Sequence, residues 1–165
     1  MQPPLLTLSN KISNMKKINY KKLTIKERQL LLAATDVLKN AYNPYSKFAV
    51  GAALLSQDDE IITGANVENA AYGSCICAER SALVRANAMG IRKFSKIAII
   101  ARRSNGPTLD ITAPCGACRQ MIFEAAQVSE QDLEVIMANT KMTKIIKATI
   151  SELLPLAFGP KELKN

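Results

Sequence analysis

Histidine is absent from this chain of 165 residues. That absence removes every mechanism in which an imidazole moves a proton or holds a metal. Long apolar runs are missing too. The longest are short stretches such as Ile97 to Ala101, well under the roughly 18 to 20 residues that a bilayer-crossing helix needs, so no membrane partner is expected. Acidic residues are missing from residues 1 to 26, where Lys11, Lys16, Lys17, Lys21, Lys22 and Lys26 stand alone. The formal charge of +8 therefore misleads. Beyond that stretch 16 basic residues face 14 acidic ones, a body nearly neutral. A phosphate-binding surface needs its positive charge arrayed on the folded body, so no nucleic-acid partner is expected. Residues 1 to 23 mix Pro3, Pro4, Asn and Ser with Lys and show no sustained period, which reads as a basic, disordered N-terminal arm. They also lack the apolar run of a secretory signal and the arginines of a transit peptide. A cytoplasmic location is the corresponding expectation.

What is present reads as one folded domain over residues 24–165, with 48% apolar and 22% charged residues. Thr24-Ile25-Lys26-Glu27 has the form of a capping box. After it Leu30, Ala33, Ala34, Val37, Leu38 and Ala41 recur at helical spacing, and Asn43-Pro44 is expected to end that helix. Phe48 to Leu55 and Glu60 to Ala65 predict a hairpin across Gln57-Asp58-Asp59, a turn without glycine. Ala78 to Met89 predicts a helix closed by Gly90. The all-apolar strand Ile97 to Ala101, a helix from Cys115 to Gln127, and strands Leu133 to Ala138 and Ile145 to Ile150 complete the pattern. A fully apolar strand between helices implies a sheet covered on both faces. The expected class is α/β, a three-layer sandwich with a mixed five-stranded sheet covered by helices. Asn139 to Lys144 contains no glycine, so a long or irregular hairpin is expected there.

Chemistry concentrates in four cysteines, Cys75, Cys77, Cys115 and Cys118, which fall in two clusters. Without a secretory signal, clustered cysteine favours metal or redox chemistry over a disulfide framework. Three readings compete. In a catalytic zinc site three thiolates would leave the fourth position to water. Cys115 and Cys118, three apart at a helix start after Pro114, would point their sulfurs from one face. Cys77 would bring the third sulfur from another helix start, and Glu79 would be placed to move protons without being a ligand. A closed site of all four cysteines would be structural, and a Cys115/Cys118 dithiol would be redox-active. The combination Cys77-Ala78-Glu79 with Pro114-Cys115-Gly116-Ala117-Cys118 favours the first, because it matches the zinc deaminase signature with Cys where other members have His. Cys75 is then expected to be a small buried residue.

Those segments resemble the cytidine deaminase family of the small, homotetrameric, zinc-dependent type. The resemblance runs from Thr24 to about Leu163. It also rests on Ala41-Tyr42-Asn43-Pro44-Tyr45-Ser46, Phe48-Ala49-Val50-Gly51-Ala52-Ala53-Leu54, Asn66-Val67-Glu68-Asn69-Ala70 and Glu152-Leu153-Leu154-Pro155 with Phe158-Gly159-Pro160. It implies hydrolytic deamination of cytidine and deoxycytidine in pyrimidine salvage. By position it implies one Zn²⁺ per chain on Cys77, Cys115 and Cys118, Glu79 as proton shuttle, and Arg80 hydrogen-bonded to the zinc-bound thiolates. For the substrate it implies Asn66 and Glu68 on the ribose hydroxyls, the backbone of Ala70 and Ala78 on the pyrimidine edge, and Phe48 as an aromatic wall. Tyr72 and Phe158 are implied to enter a neighbouring subunit's site in a homotetramer. Ala113 stands where the family commonly has Ser. The runner-up within enzymes is a related zinc deaminase for a cytosine-containing nucleoside antibiotic or a modified base; alternatives in other classes are a closed four-cysteine structural zinc protein and an RNA-editing enzyme.

Overall fold

The computed structural model describes residues 15–103 and 106–163. Its strands are β1 (Lys16–Lys17), β2 (Phe48–Ser56), β3 (Ile61–Ala65), β4 (Phe94–Arg103), β5 (Glu134–Ala138) and β6 (Ile145–Thr149), and its helices are α1 (Ile25–Asp36), α2 (Ala78–Ala88), α3 (Gly116–Ser129) and α4 (Ile150–Leu153). The strands form one mixed sheet in the order β1-β6-β5-β4-β2-β3, with β4 and β5 parallel and every other pair antiparallel.

Alternation along the central strands makes the three layers. Ile97 and Ile99 of β4 pack with Ala78, Ala82 and Ala86 of α2 and Ile122 of α3. Their neighbours Ala98 and Ile100 pack with Leu30, Leu31 and Ala34 of α1 on the opposite face. A strand sandwiched in this way has no solvated side, so its sequence is apolar throughout. Two glycines permit close approach. A Cβ on Gly64 of β3 would strike Ala82 N and lie 2.6 Å from Ala78 O, so glycine lets the first turn of α2 settle onto the sheet. On the other face a Cβ on Gly51 would meet Ala34 O and Val37 Cγ1.

The sheet has six strands rather than the expected five. The extra one is β1, which pairs Lys16 with Lys147 and Lys17 with Ile146. Within the arm expected over residues 1–23, Leu23 is buried against α1. The rest of that arm, residues 1–14, lies outside the described residues. The capping box at the start of α1 forms as expected, with Glu27 N donating to Thr24 Oγ1 at 3.2 Å and Thr24 N to Glu27 Oε2 at 2.9 Å. The helix itself stops at Asp36, earlier than Asn43-Pro44 suggests, and continues as a tighter 3₁₀ turn over Val37–Asn40. Gly90, at φ 80°, ends α2 in the left-handed conformation, and Ile91 N reaches back to Ala86 O.

Side chains replace glycine in the two glycine-free hairpins. Asp59 adopts φ 68° in the β2–β3 turn, where Ser56 Oγ accepts from the N–H groups of Asp58 and Glu60. Between β5 and β6 the turn is irregular and Asn139, almost wholly buried, organises it. Its Oδ1 accepts from Thr143 N and Lys144 N, and its Nδ2 donates to Leu109 O.

Beneath α1 sits a quartet of charges. Lys147 Nζ contacts Glu27 at 2.6 Å and Glu134 at 2.8 Å, while Lys96 Nζ contacts Glu134 at 2.6 Å and Glu27 at 3.2 Å. Burial opposes ionisation of Glu27. The Lys147 ammonium, the Thr24 N–H and Lys96 overcome it, holding the Glu27 carboxyl at about 2.

Candidate active site

Two helix starts converge on one point. Cys77 is the N-cap of α2 and Cys115 the N-cap of α3, both with extended backbone and neither using its side chain to cap its helix. Cys118 follows in the first turn of α3, fully buried. The three Sγ atoms lie within 4.8 Å of one another. Pro114 stands one residue before the N-cap rather than inside the helix, so its missing N–H is not what suits it to this place. Its carbonyl instead accepts from Arg119 Nε at 2.9 Å.

The geometry fits a tetrahedral metal. Zinc–sulfur bonds of about 2.3 Å at tetrahedral angles set sulfur atoms about 3.8 Å apart, and Cys77 Sγ lies 3.9 Å from Cys115 Sγ. The charges agree with that fit. Hydrogen bonding from Cys118 acts against burial, and with help from Cys115 and Arg80 it brings the Cys77 thiol down to about 5. The shared hydrogen bond with Cys77, followed by burial, pushes the Cys118 thiol up. One negative charge settles easily on three crowded sulfurs; a second and third require a cation. The free N–H groups at the two helix starts favour that negative charge.

Cys75 is outside the cluster. Its Sγ accepts from Asn69 N at 3.3 Å and the residue is half-buried, so the expected small buried cysteine is in fact a loop residue. A closed four-cysteine site is not formed.

Glu79 sits in the first turn of α2, 4% exposed. Burial and the adjacent Cys77 charge push its carboxyl up, the condition for a group that must both accept and donate a proton near neutral pH. Arg80 lies next to the sulfurs. Its Nη2 donates to Cys75 O at 2.7 Å, and its Nε is buried without a hydrogen-bond partner. Burial lowers its pKa, but the Cys77 charge outweighs that and keeps the guanidinium firmly charged.

A cleft of about 280 Å³ opens over these groups. It brings together Asn66, Glu68, Cys77, Glu79 and Cys115. Cys75 and Ala113 also line it, with Val50, Val67, Ile76 and Thr112, and nothing but their nearness in the fold identifies Ile76 and Thr112. The Asn66 amide is held by β2, with Nδ2 donating to Phe48 O at 3.0 Å and Oδ1 accepting from Val50 N at 2.8 Å. Glu68 Oε2 accepts from Tyr45 N and Ser46 N, and these bonds with the Ser46 side chain lower its pKa. Ala78 is the first residue of α2, where the backbone N–H has no intrahelical partner.

Ala78 itself is wholly buried and does not line the cleft, and neither do four other expected residues. Phe48, half-buried, has the Arg103 guanidinium 5.7 Å from its ring centre. Tyr72 borders an adjoining hollow with Tyr45, Ser46, Glu68 and Cys75, its ring edge-on to that of Tyr45. Ala70 is exposed. Phe158 is 58% exposed on the C-terminal segment, tied by its carbonyl to Gln120 Nε2 at 2.7 Å.

Comparison with known proteins agrees with the site. Residues 24–131 match the family model described as the cytidine and deoxycytidylate deaminase zinc-binding region. A cytidine deaminase of Halalkalibacterium halodurans is 42% identical over 140 residues, covering 84% of this chain and 99% of that protein. One of Sporosarcina psychrophila is 42% identical over 135 residues, covering 82% and 93%. The crystal structure of cytidine deaminase from Burkholderia pseudomallei superposes with a TM-score of 0.72 at 41% identity, covering 82% of this chain and all of that one. With its three thiols at two helix starts and a buried glutamate beside them, the chain belongs to the zinc-binding cytidine and deoxycytidylate deaminase family.

Proposed function

We infer that this protein hydrolyses cytidine and deoxycytidine to uridine and deoxyuridine with release of ammonia, in pyrimidine salvage. The single observation that carries this reading is the buried Glu79 carboxyl beside the Cys77, Cys115 and Cys118 sulfurs, at the floor of a cleft with Asn66 and Glu68 on its wall. One Zn²⁺ per chain, held by the three thiolates, supplies a Lewis-acid centre that makes water a nucleophile near neutral pH. Glu79 takes a proton from the attacking water and delivers it to N3 as the oxygen bonds to C4. It then takes the remaining proton from that oxygen and passes it to the amine, which leaves as ammonia as the C4 carbonyl forms. The burial of Glu79 keeps solvent from competing for these protons. Arg80 offsets the negative charge of three thiolates, which would otherwise weaken the metal as an acid. Asn66 and Glu68 receive the ribose hydroxyls. The backbone at Ala70 and Ala78 reads the pyrimidine edge, and Phe48, whose carbonyl accepts from Asn66 Nδ2, is the aromatic wall.

The cleft is open to solvent, and the exposed rings of Tyr72 and Phe158 do not line it. Both fit a homotetramer in which each chain lends these rings to a neighbour's site. The catalytic unit in this reading is a single domain over residues 24–165. Three reduced thiols suit a cytoplasmic location.

The test is loss of cytidine absorbance with zinc measured in parallel, on the wild type and on Glu79→Gln. Turnover with about one zinc per chain, lost in the variant while zinc stays, supports the reading. Zinc without turnover on either nucleoside would move it to a modified cytosine substrate.

A further inference from the structure

The side chains of the two residues after Cys118 hold other parts of the chain. Arg119 Nε donates to Pro114 O at 2.9 Å, and Pro114 is the residue immediately before Cys115. The same guanidinium donates through Nη1 to Leu153 O at 3.0 Å, at the end of α4 where the C-terminal segment begins. Gln120 Nε2 donates to Phe158 O further along that segment. The turn after it is fixed by Gly159 N on Glu162 Oε2 at 2.7 Å, and Gly159 lies so close to the Phe123 ring that a Cβ would come within 2.9 Å of it. One face of α3 therefore carries a strap of chain from Leu153 to Glu162. Leu156 and Phe158 project from the strap into solvent, 97% and 58% exposed.

We propose that Arg119 and Gln120 are positioning residues that lock the C-terminal strap to the metal-binding turn, Arg119 serving both the turn and the strap and Gln120 the strap alone. A planar guanidinium with donors in a fixed fork suits the double task, because it holds two carbonyls at a set separation as a flexible ammonium does not. Through Pro114 the fork fixes the backbone that presents Cys115. Through Leu153 it fixes the root of the segment that bears Phe158. Ligand pose and strap pose are thus set by one side chain. The part that concerns substrate rests on the deaminase reading above; the part that concerns metal does not.

The two roles separate in a pair of variants of the full chain. Zinc affinity is read by competition with a chromophoric chelator, and KM and kcat are read with cytidine. Arg119→Ala is expected to weaken zinc binding about tenfold or more, as loss of a group orienting a metal ligand commonly does, and to raise KM as well. Arg119→Lys, which keeps charge but loses the fork, should recover only part of each. Gln120→Met keeps volume and removes the donor; it should raise KM about three- to tenfold, the worth of one hydrogen bond, with zinc affinity and kcat unchanged. In a Phe158→Ala background Gln120→Met should then have little further effect, because its influence runs through that ring. Arg119→Lys with wild-type zinc affinity and KM would overturn the role of Arg119. Gln120→Met with unchanged KM, or with an effect undiminished by Phe158→Ala, would overturn the role of Gln120. If the zinc-loaded wild type does not turn over cytidine, the deaminase reading is what has failed, and the chelator competition still decides the metal half of the proposal.

Discussion

The two faces of the sheet both bury charge, and they treat it in opposite ways. Under α1, the Glu27 and Glu134 carboxylates meet the Lys96 and Lys147 ammoniums within 3.2 Å, so the protein neutralises its own buried ions. At the starts of α2 and α3, three sulfurs and the Glu79 carboxyl share a single neighbouring guanidinium, Arg80. The first arrangement is complete as it stands. The second can be ionised at all three sulfurs only with a metal cation. Perturbed groups with matched partners hold a fold together; perturbed groups without them mark where chemistry is done.

The contrast can be broken at its metal end with the greatest effect. Cys118→Ala removes the fully buried donor and should abolish both zinc retention and turnover, checked by metal analysis and nucleoside assay. Wild-type zinc content in that variant would erase the distinction between the faces. Next in size, Glu79→Gln should keep zinc while lowering kcat by about 10²- to 10⁴-fold, the usual worth of a positioned general acid–base.

The α1 face should answer in stability rather than rate. Glu27→Ala leaves the partly buried Lys96 and Lys147 ammoniums to share Glu134 alone and removes half of a capping box, so it should cost about 1 to 3 kcal/mol in denaturant unfolding while zinc content stays unchanged. Its pH dependence has a definite sign. The folded-state pKa of Glu27, about 2, lies below the ordinary 4.5, so its contribution is fully present above about 4.5 and fades as pH falls toward 2. Glu27→Gln should therefore flatten the acid limb of the stability curve. An unchanged acid limb would show that the quartet does not stabilise the fold. The smallest effect belongs to Cys75→Ser, which should leave zinc stoichiometry intact because that sulfur bonds to Asn69 instead of the metal. Loss of zinc there would restore the four-cysteine site.

Much of the metal end was legible because covalent spacing determines it. Cys115 and Cys118 are three residues apart, and a helix start converts that spacing into neighbouring sulfurs. The Cys77-Ala78-Glu79 order likewise places the carboxyl one turn into α2. The α1 end was less legible, since its key contacts join residues far apart in the chain. Lys147 and Glu27 are separated by 120 positions, and no local pattern pairs them. Strand β1 was missed for a related reason: two lysines carry no alternating apolar signal, and their pairing with β6 is a main-chain affair. Asp59 and Asn139 show a third limit, in which side chains take over turns that glycine usually makes. The substrate wall fell between these cases. Asn66 and Glu68 were expected on one side of an extended segment and do line one cleft, but their grip on β2 and on Tyr45-Ser46 is visible only in three dimensions.

The central claim is that the three-sulfur cluster at the two helix starts is a catalytic zinc centre worked by Glu79. It is tested most directly by measuring zinc content and cytidine turnover side by side in the wild type and in Glu79→Gln. The account predicts about one zinc per chain in both proteins, with deamination in the wild type alone. Equal turnover in the two would contradict it, as would a wild type that binds no zinc.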